Sequence, residues 1–405
     1  MKCRHCNNPL KIDFLDLGET PPSNAYLSKS NLSKVKNYPL KIKTCDKCYL
    51  TQTVDYVKKQ KLFTNDYAYF SSVSKSWLRH AREYVKMIIK KNKLDKKSFV
   101  VEIASNDGYL LKNFINKIPC LGIEPTKSTA SASRKLGIET LEIFFSFKNA
   151  KKISSLYKKA DLIIANNVYA HVPDINDFTK GIEYLLSKKG IVTIEFPHLI
   201  NLIKLNQFDT VYHEHFSYLS LYTVSKIFKK HGLKIFDVEK LKTHGGSLRV
   251  YGCKKDSSLK VKKSVTDLLQ NEIKFGIARK STYKEFQKKA EKVKEEFVSF
   301  LKEAKKKGKT VYGYGAAAKG MTLINFSKVN KELLPKIFDA AASKQGKYTP
   351  GSKIPILNPS SLKTYQPDYL IIFPWNISNE ISTELSFLKK NNTRFVTFIP
   401  RFKEF

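Results

Sequence analysis

The sequence predicts an α/β protein in three consecutive parts: a small metal-binding β module, an open and mainly parallel sheet covered by helices on both faces, and a second α/β domain. Three observations carry this expectation. Two Cys-x-x-Cys pairs stand at the front, Cys3/Cys6 and Cys45/Cys48. From Phe99 onward short apolar runs alternate with helical patterns, the mark of strands joined by helical crossovers. After a stretch rich in lysine and glutamate, the same alternation begins again at Thr310. With 405 residues, 42% of them apolar, the chain has material for two or three cores, which excludes disorder as its main state. The expected divisions are 1–75, 76–255 and 256–405.

In each cysteine pair a tight turn aims both thiolates at one ion, and four thiolates saturate a tetrahedral Zn²⁺, so the expected role of the metal is structural. The alternative is a pair of disulfides. The start of the chain shows no apolar leader, and thiols stay reduced in the cytoplasm, the expected location, so zinc is preferred. The 38 residues between the pairs exceed what a minimal ribbon needs and predict a small sheet. Cys120 and Cys253 stand singly in apolar surroundings and read as packing residues.

In the middle part strands are expected at Val100–Ala104, Cys120–Glu124, Glu139–Ile143, Asp161–Asn166 and Ile191–Phe196. Leu233–Val238 and Leu248–Gly252 flank a Gly-Gly turn and suit an antiparallel edge hairpin. This order resembles the class I S-adenosylmethionine-dependent methyltransferase fold, a Rossmann-like sheet. The first strand runs into Glu102-Ile103-Ala104-Ser105-Asn106-Asp107-Gly108 before a predicted helix over Tyr109–Ile118, which places a tight turn at a strand's carboxyl end, where such sheets bind nucleotides. Small residues let backbone approach a ligand, although Ala104 and Asn106 stand where the usual fingerprint has glycines. Glu102, Ala104, Asn106 and Gly108 are therefore cofactor candidates. Glu124 ends the next strand 22 residues after Glu102, the offset at which an acid grips both ribose hydroxyls. A buried acid with only a structural partner is the other reading. Asn166 and Asn167 open a polar loop after the fourth strand, a wall for the adenine and methionine, in which His171 either lines the pocket or caps the next helix.

The chemistry is expected after the fifth strand, in the irregular stretch His198–Ser220. Tyr212-His213-Glu214-His215-Phe216-Ser217-Tyr218 packs two histidines, a carboxylate and two tyrosines into seven residues. That set combines a base near neutral pKa, an acid to orient it and hydroxyls able to donate to a developing oxyanion. A satisfied polar network under a loop is the alternative. The turn His244-Gly245-Gly246-Ser247-Leu248-Arg249 returns to the same edge, so His244, Gly245 and Arg249 are candidates for a second wall. Upstream, Asp66-Tyr67-Ala68-Tyr69-Phe70-Ser71-Ser72 joins the front module to the sheet, and its hydroxyls are placed to cover the cleft; plain aromatic packing explains it equally well.

Ser258–Lys307 reads as helices whose apolar face, with Phe286, Val293, Phe297 and Leu301, packs on a neighbour. Then Thr310–Gly320 forms a strand, a Gly-rich turn and a helix start, with later strands at Lys336–Asp339, Tyr369–Phe373 and Phe395–Ile399. Gly313 and Gly315 allow backbone to approach a diphosphate, and Lys319 adds charge; a purely structural turn fits equally well. The turn lacks a Gly-Lys-Ser/Thr ending, which argues against ATP hydrolysis. Trp375-Asn376, past an apolar strand, is a further pocket edge.

The net charge is +37, which raises nucleic acid as a partner. Arginine supplies only eight of the 73 basic residues, and the lysines are scattered along the whole chain. Solvated lysine-coated faces are the preferred reading over a phosphate-bearing partner, and nucleic acid is disfavoured because base readout leans on arginine. Apolar runs such as Tyr369–Phe373 are too short to span a bilayer, so no membrane partner is expected. Monomer and dimer both remain open.

Taken in order, the paired Cys-x-x-Cys, the tyrosine and double-serine segment, Glu-Ile-Ala-Ser-Asn-Asp-Gly, Asn-Asn-Val-x-Ala-His-Val-Pro-Asp, Tyr-His-Glu-His-Phe-Ser-Tyr-Leu-Ser and His-Gly-Gly-Ser-Leu-Arg resemble the nucleotide-sugar C-methyltransferases over essentially the whole chain. The resemblance implies a zinc module, an S-adenosylmethionine domain and a Rossmann-like third domain that helps hold a nucleotide-linked sugar, with methylation at carbon 3 of a 4-keto deoxysugar. It implies His215 as general base with Tyr212 and Glu214 beside it. It also puts a tyrosine of the Tyr67/Tyr69 pair near the sugar, Tyr69 being the catalytic candidate, with Tyr67 and Ser72 on the substrate side. Two rivals stand against it: a zinc-containing RNA or DNA methyltransferase, opposed by the lack of an Asn/Asp-Pro-Pro-Tyr/Phe segment after the fourth strand, and a nucleotide-binding scaffold without turnover.

Overall fold

The computed structural model describes residues 1–33, 35–54 and 70–405. Among these the strands form three sheets. The front sheet contains β1 (Ile12–Thr20), β2 (Tyr38–Thr44) and β3 (Thr51–Thr53), paired antiparallel in that order. Its fourth strand comes from far downstream: β9 (Ser217–Tyr218), inside the predicted catalytic stretch, pairs with Thr51 and Gln52.

The central sheet holds β4 (Val100–Ile103), β5 (Cys120–Ile123), β6 (Thr140–Leu141), β7 (Ala160–Asn166), β8 (Leu186–Pro197), β10 (Leu233–Leu241) and β11 (Ser247–Lys254). Its spatial order is β10-β11-β8-β7-β4-β5-β6, parallel from β8 to β6 and antiparallel across the β8-β11-β10 edge. Every residue of β4, Val-Val-Glu-Ile, is buried, as a strand covered by helices on both faces requires. All seven expected strands are present, most within one or two residues of the expected ends.

The third sheet runs β14 (Ile356–Leu357), β13 (Ile337–Phe338), β12 (Val311–Tyr314), β15 (Tyr369–Ile372), β16 (Arg394–Thr397), β17 (Lys403–Glu404), parallel except for the last pair. The sequence pattern anticipates β12, β13, β15 and β16; the two-residue β14 and β17 are too short to leave a periodic signal.

Helices Lys263–Phe275 and Phe286–Lys306 join the last two parts. Phe286, Val293, Phe297 and Leu301 are buried as expected, and they share one core with Phe14 and Ile42 of the front sheet and with Val311 and Ile371 of the third. Phe14 stacks on Phe286 at 4.5 Å between ring centres.

One expected helix is not there. Tyr109–Ile118 forms a series of turns with a single 3-10 turn at Leu111–Asn113. The Asn113 amide donates to the Leu110 carbonyl and competes with the backbone ladder, and Asn116 adopts the left-handed conformation (φ 61°), which stops a helix from propagating.

Candidate functional site

The metal centre is two copies of one turn. Asn7 N–H donates to the Cys3 carbonyl and Tyr49 N–H to the Cys45 carbonyl, and Asn7 and Tyr49 both have positive φ. The four sulfurs of Cys3, Cys6, Cys45 and Cys48 lie within 4.8 Å of one another, with Cys3–Cys48 and Cys6–Cys45 at 3.5 Å. A tetrahedral zinc with Zn–S bonds of about 2.3 Å separates its sulfurs by roughly 3.8 Å. The quartet therefore fits zinc, and a closed shell of four thiolates holds it structurally.

At the carboxyl ends of β4 and β5 the loop Ala104–Gly108 does with other residues what glycines commonly do. Ala104 and Asn106 have φ of 58° and 50°, and Gly108 has 78°. Glycine suits position 108 because its φ lies in the left-handed region, where a side chain is strained. Glu124 ties the loop down, accepting from Asn106 N–H at 3.0 Å and Thr126 N–H at 2.9 Å. Ser71 N–H donates to Asn106 Oδ1 and Ser72 N–H to Asp107 Oδ2, so the double-serine segment lies on this loop. Tyr67 and Tyr69 lie outside the described residues.

Several buried acceptors here have no partner among the described residues: Glu102 Oε2, Asp107 Oδ1 and Asn166 Oδ1, with both amide atoms of Asn167 beside them. Burial, then the nearby Glu124 and Asp107, raises the Glu102 carboxyl well above the usual range, and burial raises Glu124 despite its backbone donors. Buried acceptors left without a partner at the carboxyl ends of β4 and β7 fit a ligand carrying an ammonium group and ribose hydroxyls, as S-adenosylmethionine does.

Segments from four other places bring basic groups together. His215 is 8% exposed, and its Nδ1–H donates to the Thr210 carbonyl at 2.9 Å, which leaves the lone pair on Nε2. Tyr212 lies over its ring at 4.0 Å and His171 meets it edge-on at 4.6 Å. Burial, then His171, depresses the His215 imidazole well below its usual value; Thr210 works the other way, and His244 and Lys319 add to the depression. His171 and His244 are each lowered to about 4, chiefly by burial. His171 does not act as a helix cap: its Nδ1–H donates to the Glu214 carbonyl at 2.7 Å, and Asp174 caps the following helix instead. The Glu214 carboxyl, raised by burial, accepts from Asn24 of the front module, and His213 faces the Tyr38 carbonyl.

Lys319 sits at the start of the Ala318–Phe326 helix, 4.4 Å over the Trp375 ring and 2.8 Å from Asn376 Oδ1. Burial lowers its ammonium to about 8, with Asp209 opposing. Asp209, raised by burial to about 6, accepts from the Trp375 indole N–H at 2.7 Å. Trp375 in turn requires Gly245, where a Cβ would lie 2.3 Å from the indole. Sequence reasoning missed Asp209, although it lies inside the stretch His198–Ser220, because its partners Trp375 and Lys319 belong to the third domain.

Three expected ligand contacts have other employment. The guanidinium of Arg249 is buried against Glu195 at 2.9 Å and Glu239 at 3.3 Å, so it braces the β8-β11-β10 edge rather than facing a ligand. A Cβ built at Gly313 or Gly315 would lie 2.7 Å from Phe373 or 2.4 Å from Pro374, and their N–H groups already donate to the Lys336 and Phe338 carbonyls. Close packing within the third domain accounts for both glycines.

A closed cysteine quartet in front of a seven-stranded sheet with an acidic loop at its carboxyl edge defines a class I methyltransferase with a zinc module. Family models agree with each part: a zinc binding domain over residues 3–63, a methyltransferase domain over 77–238 and a C-methyltransferase C-terminal domain over 242–400. The chain is 33% identical to the C-methyltransferase NovU of Streptomyces niveus over 402 residues, covering 98% of this chain and 95% of that protein. It belongs to the S-adenosylmethionine-dependent C-methyltransferase family, with S-adenosylmethionine and zinc as its cofactors. Solved structures that align with part of it include an S-adenosylmethionine-dependent methyltransferase of Clostridium acetobutylicum (13% identity, 43% of this chain and 91% of that one, TM-score 0.36). Another is the magnesium protoporphyrin IX methyltransferase of Synechocystis with bound S-adenosylhomocysteine (12% identity, 44% and 82%, TM-score 0.35). Among the described residues no helix is long and apolar enough to cross a membrane.

Proposed function

We propose that the substrate is a nucleotide-linked 4-keto deoxysugar, methylated at carbon 3, and that His215 removes the proton from that carbon. The observation that supports this most is the Nδ1–H bond from His215 to the Thr210 carbonyl, which commits the other ring nitrogen to be the acceptor. A proton beside a ketone becomes acidic only when the enolate oxygen is stabilised, so a base needs donors opposite it. Tyr212 is assigned to donate to that oxygen, with Tyr69 or Tyr67 as the second donor. Glu214 holds His171 through its carbonyl, and His171 keeps the base ring edge-on. Lys319 lends the site an affinity for the phosphates. An anion beside Lys319 offsets one of the charges that depress the His215 ring and so moves its pKa upward, the direction a general base needs.

S-adenosylmethionine supplies an electrophilic methyl group when bound. Glu102, Asn106, Glu124, Asn166 and Asn167 would hold it, the carboxylates at the ammonium and ribose and the asparagines along the methionine and adenine. Four zinc thiolates suit the reducing cytoplasm, which we take as the location.

The test is solvent deuterium uptake into a nucleoside-diphosphate 4-keto-6-deoxyhexose with the methyl donor omitted. His215→Asn is expected to slow uptake by about 10²- to 10⁴-fold while S-adenosylhomocysteine binds as before. Uptake at the wild-type rate would remove His215 as the base.

A further inference from the structure

We propose that Glu272 is a positioning residue for the base, a single carboxylate that closes the catalytic loop at its neck. The inference rests on the reading of His215 given above. Glu272 belongs to neither the cofactor loop nor the cleft: it lies on the Lys263–Phe275 helix that leaves the methyltransferase domain, and it is fully buried.

The stretch that carries Tyr212 and His215 begins at His198, directly after β8, and ends where the Leu221–Lys230 helix begins. Glu272 holds both ends. Its Oε1 accepts from the His198 ring at 2.7 Å and from Leu221 N–H at 2.8 Å, and its Oε2 accepts from Tyr222 N–H at 2.7 Å. The first amides of a helix have no partners within it. Ser220 serves Thr223 N–H, and Glu272 serves the two before it, with its negative charge at the favourable end of the helix dipole.

Inside this neck the chain is drawn tight, Leu199 N–H donating to the Leu219 carbonyl at 2.9 Å. His198 N–H also donates to the Gly246 carbonyl at 3.1 Å, so the same knot sets the turn that carries His244. Without Glu272 three buried donors lose their acceptor, the two ends are free to splay, and the His215 ring moves relative to the sugar carbon. Proton transfer falls steeply with misplacements of about 1 Å.

The experiment uses the full-length zinc-loaded protein with Glu272→Gln, whose amide has one acceptor oxygen and cannot serve the His198, Leu221 and Tyr222 donors together. Deuterium uptake into the nucleoside-diphosphate 4-keto-6-deoxyhexose is expected to lose kcat on the order of 10- to 100-fold with KM and S-adenosylhomocysteine affinity unchanged. The pH profile of uptake should shift, and amide hydrogen exchange should accelerate within residues 198–222 only. Wild-type kcat and pH profile despite faster local exchange would overturn the proposal. Should Glu272→Gln lose protection throughout the chain, His198→Leu decides by the same readouts, because it leaves the Leu221 and Tyr222 bonds in place. Uptake that survives His215→Asn would refute the base assignment itself. Uptake abolished by His215→Asn but untouched by Glu272→Gln and His198→Leu would refute this inference alone.

Discussion

The acidic group at the ends of β4 and β5 and the basic group around His215 are both buried and carry opposite chemistry. At the ends of β4 and β5, Glu102 and Glu124 face each other with Asp107 nearby, and burial raises both glutamates. In the second group stand His171, His215, His244 and Lys319, and burial lowers all four. Desolvation thus pushes each wall toward neutrality from its own direction. The difference teaches that one chain can set a group of acids, suited to the cationic methyl donor, apart from a group of bases suited to a partner of the opposite charge. A net charge of +37 predicts neither wall, since three acids converge where the chain as a whole is strongly basic.

The comparison breaks most sharply at His215, where asparagine is expected to silence proton removal and spare donor binding. The seam between the walls comes next. Arg249→Ala leaves Glu195 buried without its closest cation, and melting should show a loss of about 3–5 kcal/mol. Burial alone would raise Glu195, but His80, Arg249 and Thr243 together hold it below the usual carboxylate range. A loss below about 1 kcal/mol, the value of an exposed pair, would show that the pair does not brace the sheet.

On the acidic wall, Glu124→Gln should weaken S-adenosylhomocysteine binding by about 10- to 100-fold, the worth of one hydrogen bond to a charged group. Deuterium uptake into the keto sugar should persist, the reverse of the His215 variant. Equal damage to both steps would mean that the walls are not separable.

pH separates them again. For His171 and His244, about 4 when folded against 6.5 ordinarily, the unfolded chain binds protons that the folded one refuses between those values. Their contribution to stability is present above pH 6.5 and is lost as pH falls toward 4. Glu102 and Glu124 act with the opposite sign: their folded values are raised, so their contribution is present at low pH and declines as pH rises through the folded values. His244→Asn, which suits the left-handed φ of 51° there, should flatten the acid slope by about 2 kcal/mol in thermal melts taken from pH 4 to 6.5. An unchanged slope would place the proton uptake elsewhere. The smallest effect is expected from Trp375→Phe, which removes the indole donor from Asp209 and should cost about 1 kcal/mol in denaturant titration. No change at all would mean that this contact does not join the third domain to the loop.

Much of this was legible in advance. The runs Val100–Ile103 and Ile191–Phe196 announce buried strands because parallel strands covered on both faces are apolar throughout. The cysteine quartet is legible because its spacing is itself the chemistry. Legibility fails where a partner is distant. Ser217 and Tyr218 read as loop because their strand partners, Thr51 and Gln52, belong to another module. Arg249 reads as ligand-facing because Glu195 lies opposite it only once β8 and β11 pair. Tyr109–Ile118 reads as a helix because its apolar spacing is helical, while the asparagine bonds that undo it are invisible to periodicity.

By itself the sequence determined the order of the three parts, the strands of the central sheet, the cysteine quartet and the segment in which His215 and Tyr212 stand together. These follow from residue type, spacing and local alternation, which exist in the chain before it folds. Only the tertiary structure decided which nitrogen of His215 is left to accept a proton, what fills the space above Gly313 and Gly315, and that Glu272 ties both ends of the loop. Those outcomes depend on hydrogen-bond partners and packing neighbours far away along the chain, and such neighbours are fixed only when the sheets close on one another.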